Sequence, residues 1–161
     1  MRMLRMMTVA ALVAAAPTAV FAQTVTPAQF VAKAGASDLY EKESSQLVLQ
    51  STNPKIRTFA QSMIRDHSKS TADVKAAATK AGVRPAPPKL EPMQADMVAK
   101  LRQASGTQRD QLYVQQQKTA HQKALALHQG YAQSGTAAPL KAAAGKIAPV
   151  VQHHIEMLNG M

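Results

Sequence analysis

Between Ile56 and Ala81 the apolar residues recur at helical spacing. Projected at about 100° per residue, Ile56, Phe59, Ala60, Met63, Ala77, Ala78 and Ala81 fall within roughly a third of the circumference. Arg57, Arg65, Lys69, Lys75 and Lys80 point elsewhere, so the stretch predicts a helix with one face buried and one wet. His67 lies inside the buried stripe.

The punctuation around this stretch predicts more helices. Thr26-Pro27 is a start signal, with a capping hydroxyl followed by a proline whose missing N–H costs nothing in the first turn. The helical pattern then continues to Thr52, where Asn53-Pro54 closes one helix and opens the next. A junction that short implies an antiparallel hairpin. Gly82 stands where a left-handed residue ends the second helix. Pro85, Pro87, Pro88 and Pro92 make an extended connection, followed by a short helix from Met93 to Ala104 that stops at Gly106. The expected long helices are 27–52, 54–81, 107–134 and 137–158, the last capped by Thr136. Pro149 inside the last helix removes a hydrogen bond and crowds the carbonyl of Gly145, which predicts a kink and not a break. With no period-two pattern, the expected fold is all-α, a four-helix bundle with a short extra helix between the second and third long helices.

Each apolar stripe carries a titratable residue. Glu41 shares one with Phe30, Ala34, Ser45 and Val48, whereas Glu43 points away. His121 and His128 share one with Val114, Gln117, Ala124, Leu125 and Ala132. His154 lies with Leu140, Ile147, Val150, Val151 and Leu158, and His153 is displaced by about 100°. Heights also agree. Glu41 stands 53−41 = 12 residues before the first turn and His67 stands 67−53 = 14 after it; His121 and His154 stand 15 and 18 from Thr136, an offset of about 4.5 Å. The pattern thus predicts that Glu41, His67, His121 and His154 meet near mid-bundle. His128, two turns beyond His121, is too distant to share one ion.

Buried polar groups must pair or bind a cation, so two readings follow. In one, three imidazoles and a carboxylate hold one transition-metal ion, with zinc, copper, iron and manganese all suited to such donors. Asp66, at the stripe edge, is then a second ligand or orients a histidine. In the other, a Glu–His hydrogen-bond network fixes helix register. Met63 and Met157 lie one turn from His67 and His154, and the bland reading is gap-filling core. Tyr113 and Tyr131 flank the histidine stripe, with hydroxyls expected to be wet.

Composition narrows the chemistry. The 161 residues contain no cysteine, which excludes disulfides and thiolate ligands, and aromatics are 4% against 46% hydrophobic. The net charge is +10, but the basic residues are scattered without an aromatic stacking platform. Solvated helix faces are expected, not a nucleic-acid surface, leaving an acidic partner in the cell envelope as the complement of that charge. No serine–histidine–aspartate or glycine-rich phosphate motif points to an enzyme. Arg2 and Arg5, the apolar run Met6 to Ala16 and Val20-Phe21-Ala22 make a secretory signal, with cleavage expected after Ala22 and a single domain over 23–161. The mature chain, expected to be periplasmic or secreted, has no membrane-spanning run.

The stretches FVAKAGASDLYEKESSQLVLQSTNP, FAQSMIRDH, YVQQQKTAHQKALALHQGYAQSG and APVVQHHIEML resemble a family of secreted bacterial proteins of unknown function, often described as outer-membrane proteins. The resemblance runs from about Phe30 to Leu158 and implies a ferritin-like helical bundle. It implies recurring polar positions at Glu41, Asp66, His67, Tyr113, His121 and His154; in the metal reading Asp66 and Tyr113 are expected behind the ligands. It supplies no reaction. The Glu-x-x-His spacing of di-iron bundles is missing, since Ile64 and Val151 stand three before His67 and His154, which argues against ferroxidase chemistry.

Overall fold

A computed structural model describes residues 25–161; the expected signal segment and its cleavage point lie outside them. Among the described residues there are five helices and no strand: α1 Pro27–Gln46, α2 Pro54–Lys80, α3 Pro92–Gln103, α4 Gly106–Ser134 and α5 Ala138–Asn159.

Local chemistry explains most boundaries. Thr26 caps α1 in a reciprocal box, its Oγ1 accepting from Gln29 N at 3.3 Å while Gln29 Oε1 accepts from Thr26 N at 3.0 Å. Asn53 Oδ1 caps α2 through Lys55 N at 3.0 Å, ahead of Pro54. At its other end Val83 N reaches back to Ala78 O at 2.9 Å and Gly82 N to Thr79 O at 3.1 Å, the paired closure that needs the left-handed φ of 71° at Gly82.

Two expectations need correction. α1 ends at Gln46, not Thr52, because Leu47 N and Val48 N bond three residues back to Ser44 O and Ser45 O and the chain turns. The carbonyls this frees are taken from outside the helix: Arg109 Nη1 donates to Leu47 O at 3.1 Å and Arg57 Nη1 to Ser51 O. Thr136 does not cap α5. The cap position is Ala137, without a side-chain bond, and the ladder opens with Lys141 N to Ala137 O at 2.9 Å. α5 continues through Pro149, which is exposed, so the lost hydrogen bond lies on the wet face.

The long helices form a closed ring in which α1 packs on α2, α2 on α5, α5 on α4 and α4 on α1; α3 lies against α1 and α4. Asp110 and Arg109, in the first turn of α4, bond to Ser51 and Leu47 at the α1–α2 turn. Residues 81–105 therefore run back along the bundle, and α4 descends parallel to the diagonal α2. Two apolar clusters result. One gathers Phe30, Ala34, Val74, Ala78, Tyr131, Leu140 and Val151. The other, at the α1–α2 turn end, gathers Val48, Ile56, Phe59, Met63, Leu101, Tyr113 and Leu158. Met63 is wholly buried there and Met157 packs against it, so both act as core.

A pair of glycine substitutions tests the backbone reading. Gly82→Ala forces a side chain into the left-handed region and should cost about 1 kcal/mol. Gly130→Ala, inside α4 with nothing within 4 Å of the added carbon, should stabilise by about 0.5–1 kcal/mol. Urea unfolding of the two variants should move in opposite directions.

Candidate metal centre

Between the apolar clusters lies a polar layer in which His67 from α2, His121 from α4 and His154 from α5 stand 3%, 0% and 1% exposed. Ring centroids are 5.6 Å apart for His67 and His121, 5.5 Å for His67 and His154, and 5.3 Å for His121 and His154. The predicted 4.5 Å offset between the last two is thus within side-chain reach. Their planes are steeply inclined in two of the three pairs, at 86° and 75°, so the rings face one another edge to face.

The outward nitrogen of each ring has an acceptor, and the acceptors fix the tautomers. His67 Nδ1 is 2.8 Å from Asp38 Oδ1. His121 Nδ1 is 3.0 Å from the Gln117 carbonyl, which can only accept, so this nitrogen carries the proton. His154 Nε2 is 3.1 Å from Asp66 Oδ2. The opposite nitrogens, His67 Nε2, His121 Nε2 and His154 Nδ1, are buried without any hydrogen-bond partner. Among the described residues the three histidines form a set whose ligating atoms lie within 4.8 Å of one another. Zinc–imidazole bonds of about 2.0–2.1 Å would draw the rings inward by on the order of 1 Å. Carbonyl or carboxylate support behind an imidazole is the arrangement that orients metal-bound histidines.

Glu41 is in the same layer, fully buried, with both oxygens lacking a partner. Its Oε1 is 3.7 Å from His121 Nδ1, a nitrogen already committed to Gln117 O, so it stands beside the trio and not within it. This close approach is not an ion pair: burial pushes the Glu41 carboxyl up to about 7 and the His121 imidazole down to about 3. Burial also lowers His154, to about 4, with the charge of His67 adding to the effect. His67 is raised: burial opposes its charged form, but the Asp38 hydrogen bond and the charges of Glu41, Asp38 and Asp66 outweigh that. The layer therefore concentrates its proton on His67, and an ion bound by all three rings would displace it.

Of the residues the sequence offered, His67, His121 and His154 converge, and Asp66 supports His154. Tyr113 does not support a histidine. It lies 121−113 = 8 residues, about 12 Å, before His121 along α4 and bonds through its hydroxyl to Ser45 Oγ at 2.7 Å. Neither Tyr113 nor Tyr131 is wet: they are 0% and 2% exposed, and Tyr131 stacks on Phe30 at 4.0 Å. His128 is buried edge-on against Phe30 at 5.5 Å, and His153 is on the surface. Asp38 was missed, although it lies three residues before Glu41 and four after Ala34 on the same stripe. Thr71 Oγ1 donates to its Oδ2 at 3.1 Å and steadies it.

An all-helical bundle with a histidine-lined polar layer defines the class of protein. The family described as a domain of unknown function, DUF4142, matches residues 11–161, and the chain belongs to that family. No curated protein matches it. Among solved structures it is similar to the crystal structure of a DUF305 fragment from Deinococcus radiodurans, with a TM-score of 0.71 and 19% identity, over 83% of this chain and 93% of that one. At that identity the likeness concerns the fold alone.

The buried imidazoles set the acid sensitivity of the metal-free protein. His121, His154 and His128 titrate at about 3, 4 and 4 in the folded chain and near 6.5 when unfolded. Below pH 6.5 the unfolded chain takes up the extra protons, so stability falls as pH drops. Glu41, raised from 4.5 to about 7, works the other way, losing stability as pH rises through that interval. His67, also raised, acts with Glu41, but three groups outweigh two, so in chelator the unfolding temperature should fall from pH 6.5 to 4.5. His128→Leu should make that fall shallower while leaving the histidine trio in place.

Proposed function

We propose that this protein binds one transition-metal ion through His67 Nε2, His121 Nε2 and His154 Nδ1, and serves metal handling or protection from metal stress in the periplasm or outside the cell. The observation that carries the reading is the set of three buried, unpartnered nitrogens on rings whose other nitrogens are each tied to an acceptor. Such buried nitrogens cost about 1–3 kcal/mol each when left without a partner, and a cation that displaces the His67 proton satisfies all three at once. Three neutral imidazoles suit zinc, copper or iron, and a hard, all-oxygen cation far less. Glu41, whose carboxylate lies 3.7 Å from the Nδ1 side of His121, is not among the ligands.

A ferritin-like bundle topology is supported by the single long crossover between two helical hairpins, and by no feature of di-iron ligation. Among the described residues no helix is long and apolar enough to cross a membrane, and the basic surface suits an acidic envelope partner. The alternative, a register-fixing Glu–His network, is disfavoured by the orphaned inward nitrogens and Glu41 oxygens, which such a network would pair with one another.

Untagged protein dialysed against zinc, copper(II), iron(II) or manganese should retain about one ion of at least one metal per chain. His121→Ala should weaken it by more than the roughly 10–100-fold that loss of an outer-shell partner brings, and His153→Ala, at the surface, should not. A wild type that retains none of the four metals, or a His121→Ala protein that retains them equally, would overturn the reading.

A further inference from the structure

The histidine trio is sealed from solvent. The cleft between α1, α3 and α4, lined by Tyr40, Met93, Met97 and Leu127, lies to one side of it, and the groove around Thr52 and Gln111 lies at the turn end. Behind two of the rings, support is equally buried: Asp38 is 2% exposed and Gln117 0%. Behind the third it is not. The Asp66 side chain is 25% exposed at the surface of α2, and its carboxylate touches His154 Nε2 on one side and Arg65 on the other. Arg65 holds it with both faces of its fork, Nε to Oδ1 at 2.9 Å and Nη2 to Oδ2 at 3.1 Å, and is itself 69% exposed.

We infer that Asp66 is the port through which the ion reaches the trio, with Arg65 as its latch. The inference rests on the metal reading above and adds its route of loading. A chain with 19 basic residues against 9 acidic ones, two of the acids buried, repels cations, so an approaching ion needs a local carboxylate. The exposed acids Asp73 and Asp96 are paired along their own helices with Lys69 and Lys100, away from the layer. Asp66 alone among the groups hydrogen-bonded to the trio through a side chain is open to water. An ion that takes the Asp66 oxygens displaces Arg65 and relieves His154 Nε2 of its acceptor. The His154 ring is then free to turn and admit the ion between α2 and α5. Once the ion is inside, Asp66 returns to His154 Nε2 and Arg65 closes over it. Loading consumes no redox equivalent; His67, when protonated, gives up its proton to solvent.

The experiment is stopped-flow mixing of cobalt(II), followed by its visible absorption, with wild type, Asp66→Asn, Arg65→Ala and Lys69→Ala, each first checked for wild-type helicity. Asp66→Asn keeps an acceptor for His154 but removes the charge; its second-order loading rate should fall tenfold or more while it still fills to one ion per chain at saturation. Arg65→Ala should load several-fold faster than wild type, and Lys69→Ala, which removes the same charge one turn away, should not. If Asp66→Asn loads at the wild-type rate and only releases cobalt faster, Asp66 merely orients His154 and the port is refuted. Equal acceleration in Arg65→Ala and Lys69→Ala would reduce the latch to bulk electrostatics and refute it too. A wild type that takes up no cobalt, zinc or copper refutes both the port and the metal reading, whereas normal filling with unchanged rates refutes the port alone.

Discussion

The fold depends on placing three imidazoles and a carboxylate in the middle of a core that could have been apolar throughout. An imidazole offers one donor and one acceptor, and each is expensive to bury unpaired. Here the donors are satisfied by Asp38, Gln117 O and Asp66 from outside the layer, which turns the acceptors inward toward one another. Helix rotation and level are thereby tied to the site: rotating α2 would break Asp38 to His67, and sliding α5 would break Asp66 to His154.

The surrounding architecture supplies what this layer cannot. Apolar clusters on either side exclude water and provide the hydrophobic driving force. The same exclusion pushes Glu41 up and His121 and His154 down, so that below about pH 7 most of the layer is neutral and its charge is concentrated on His67. The crossover of residues 81–105 places α4 beside α1 with its first turn fastened at Ser51 and Leu47, and this fixes the height at which His121 meets His67. A site built from three helices at comparable heights needs that fastening.

Much of this was legible in the sequence because helical periodicity reports which face is buried, and the Asn53-Pro54 junction reports antiparallel pairing. His67, His121 and His154 were found that way, with heights that agree to within a turn. What escaped was what periodicity does not encode. Asp38 sits on the same stripe as Glu41, yet a projection cannot say which of two carboxylates reaches a histidine on the neighbouring helix. The end of α1 depended on Arg57 and Arg109, which accept the duty of satisfying its carbonyls from outside the helix. The tyrosine hydroxyls were expected in water because tyrosines often bridge core and surface, but Ser45 gave Tyr113 a buried partner. Thr136 had the right chemistry for a cap one residue too early.

The family and the similar solved fold leave the chemistry to this chain's own residues, and the central claim is that three identified nitrogens share one cation. The most direct test is anomalous diffraction from crystals of the protein loaded with zinc. The account predicts a single strong peak per chain bounded by His67 Nε2, His121 Nε2 and His154 Nδ1, with Asp38 and Asp66 still hydrogen-bonded behind their rings. A peak on surface His153 or among exposed carboxylates, with the buried trio holding no zinc, would contradict it.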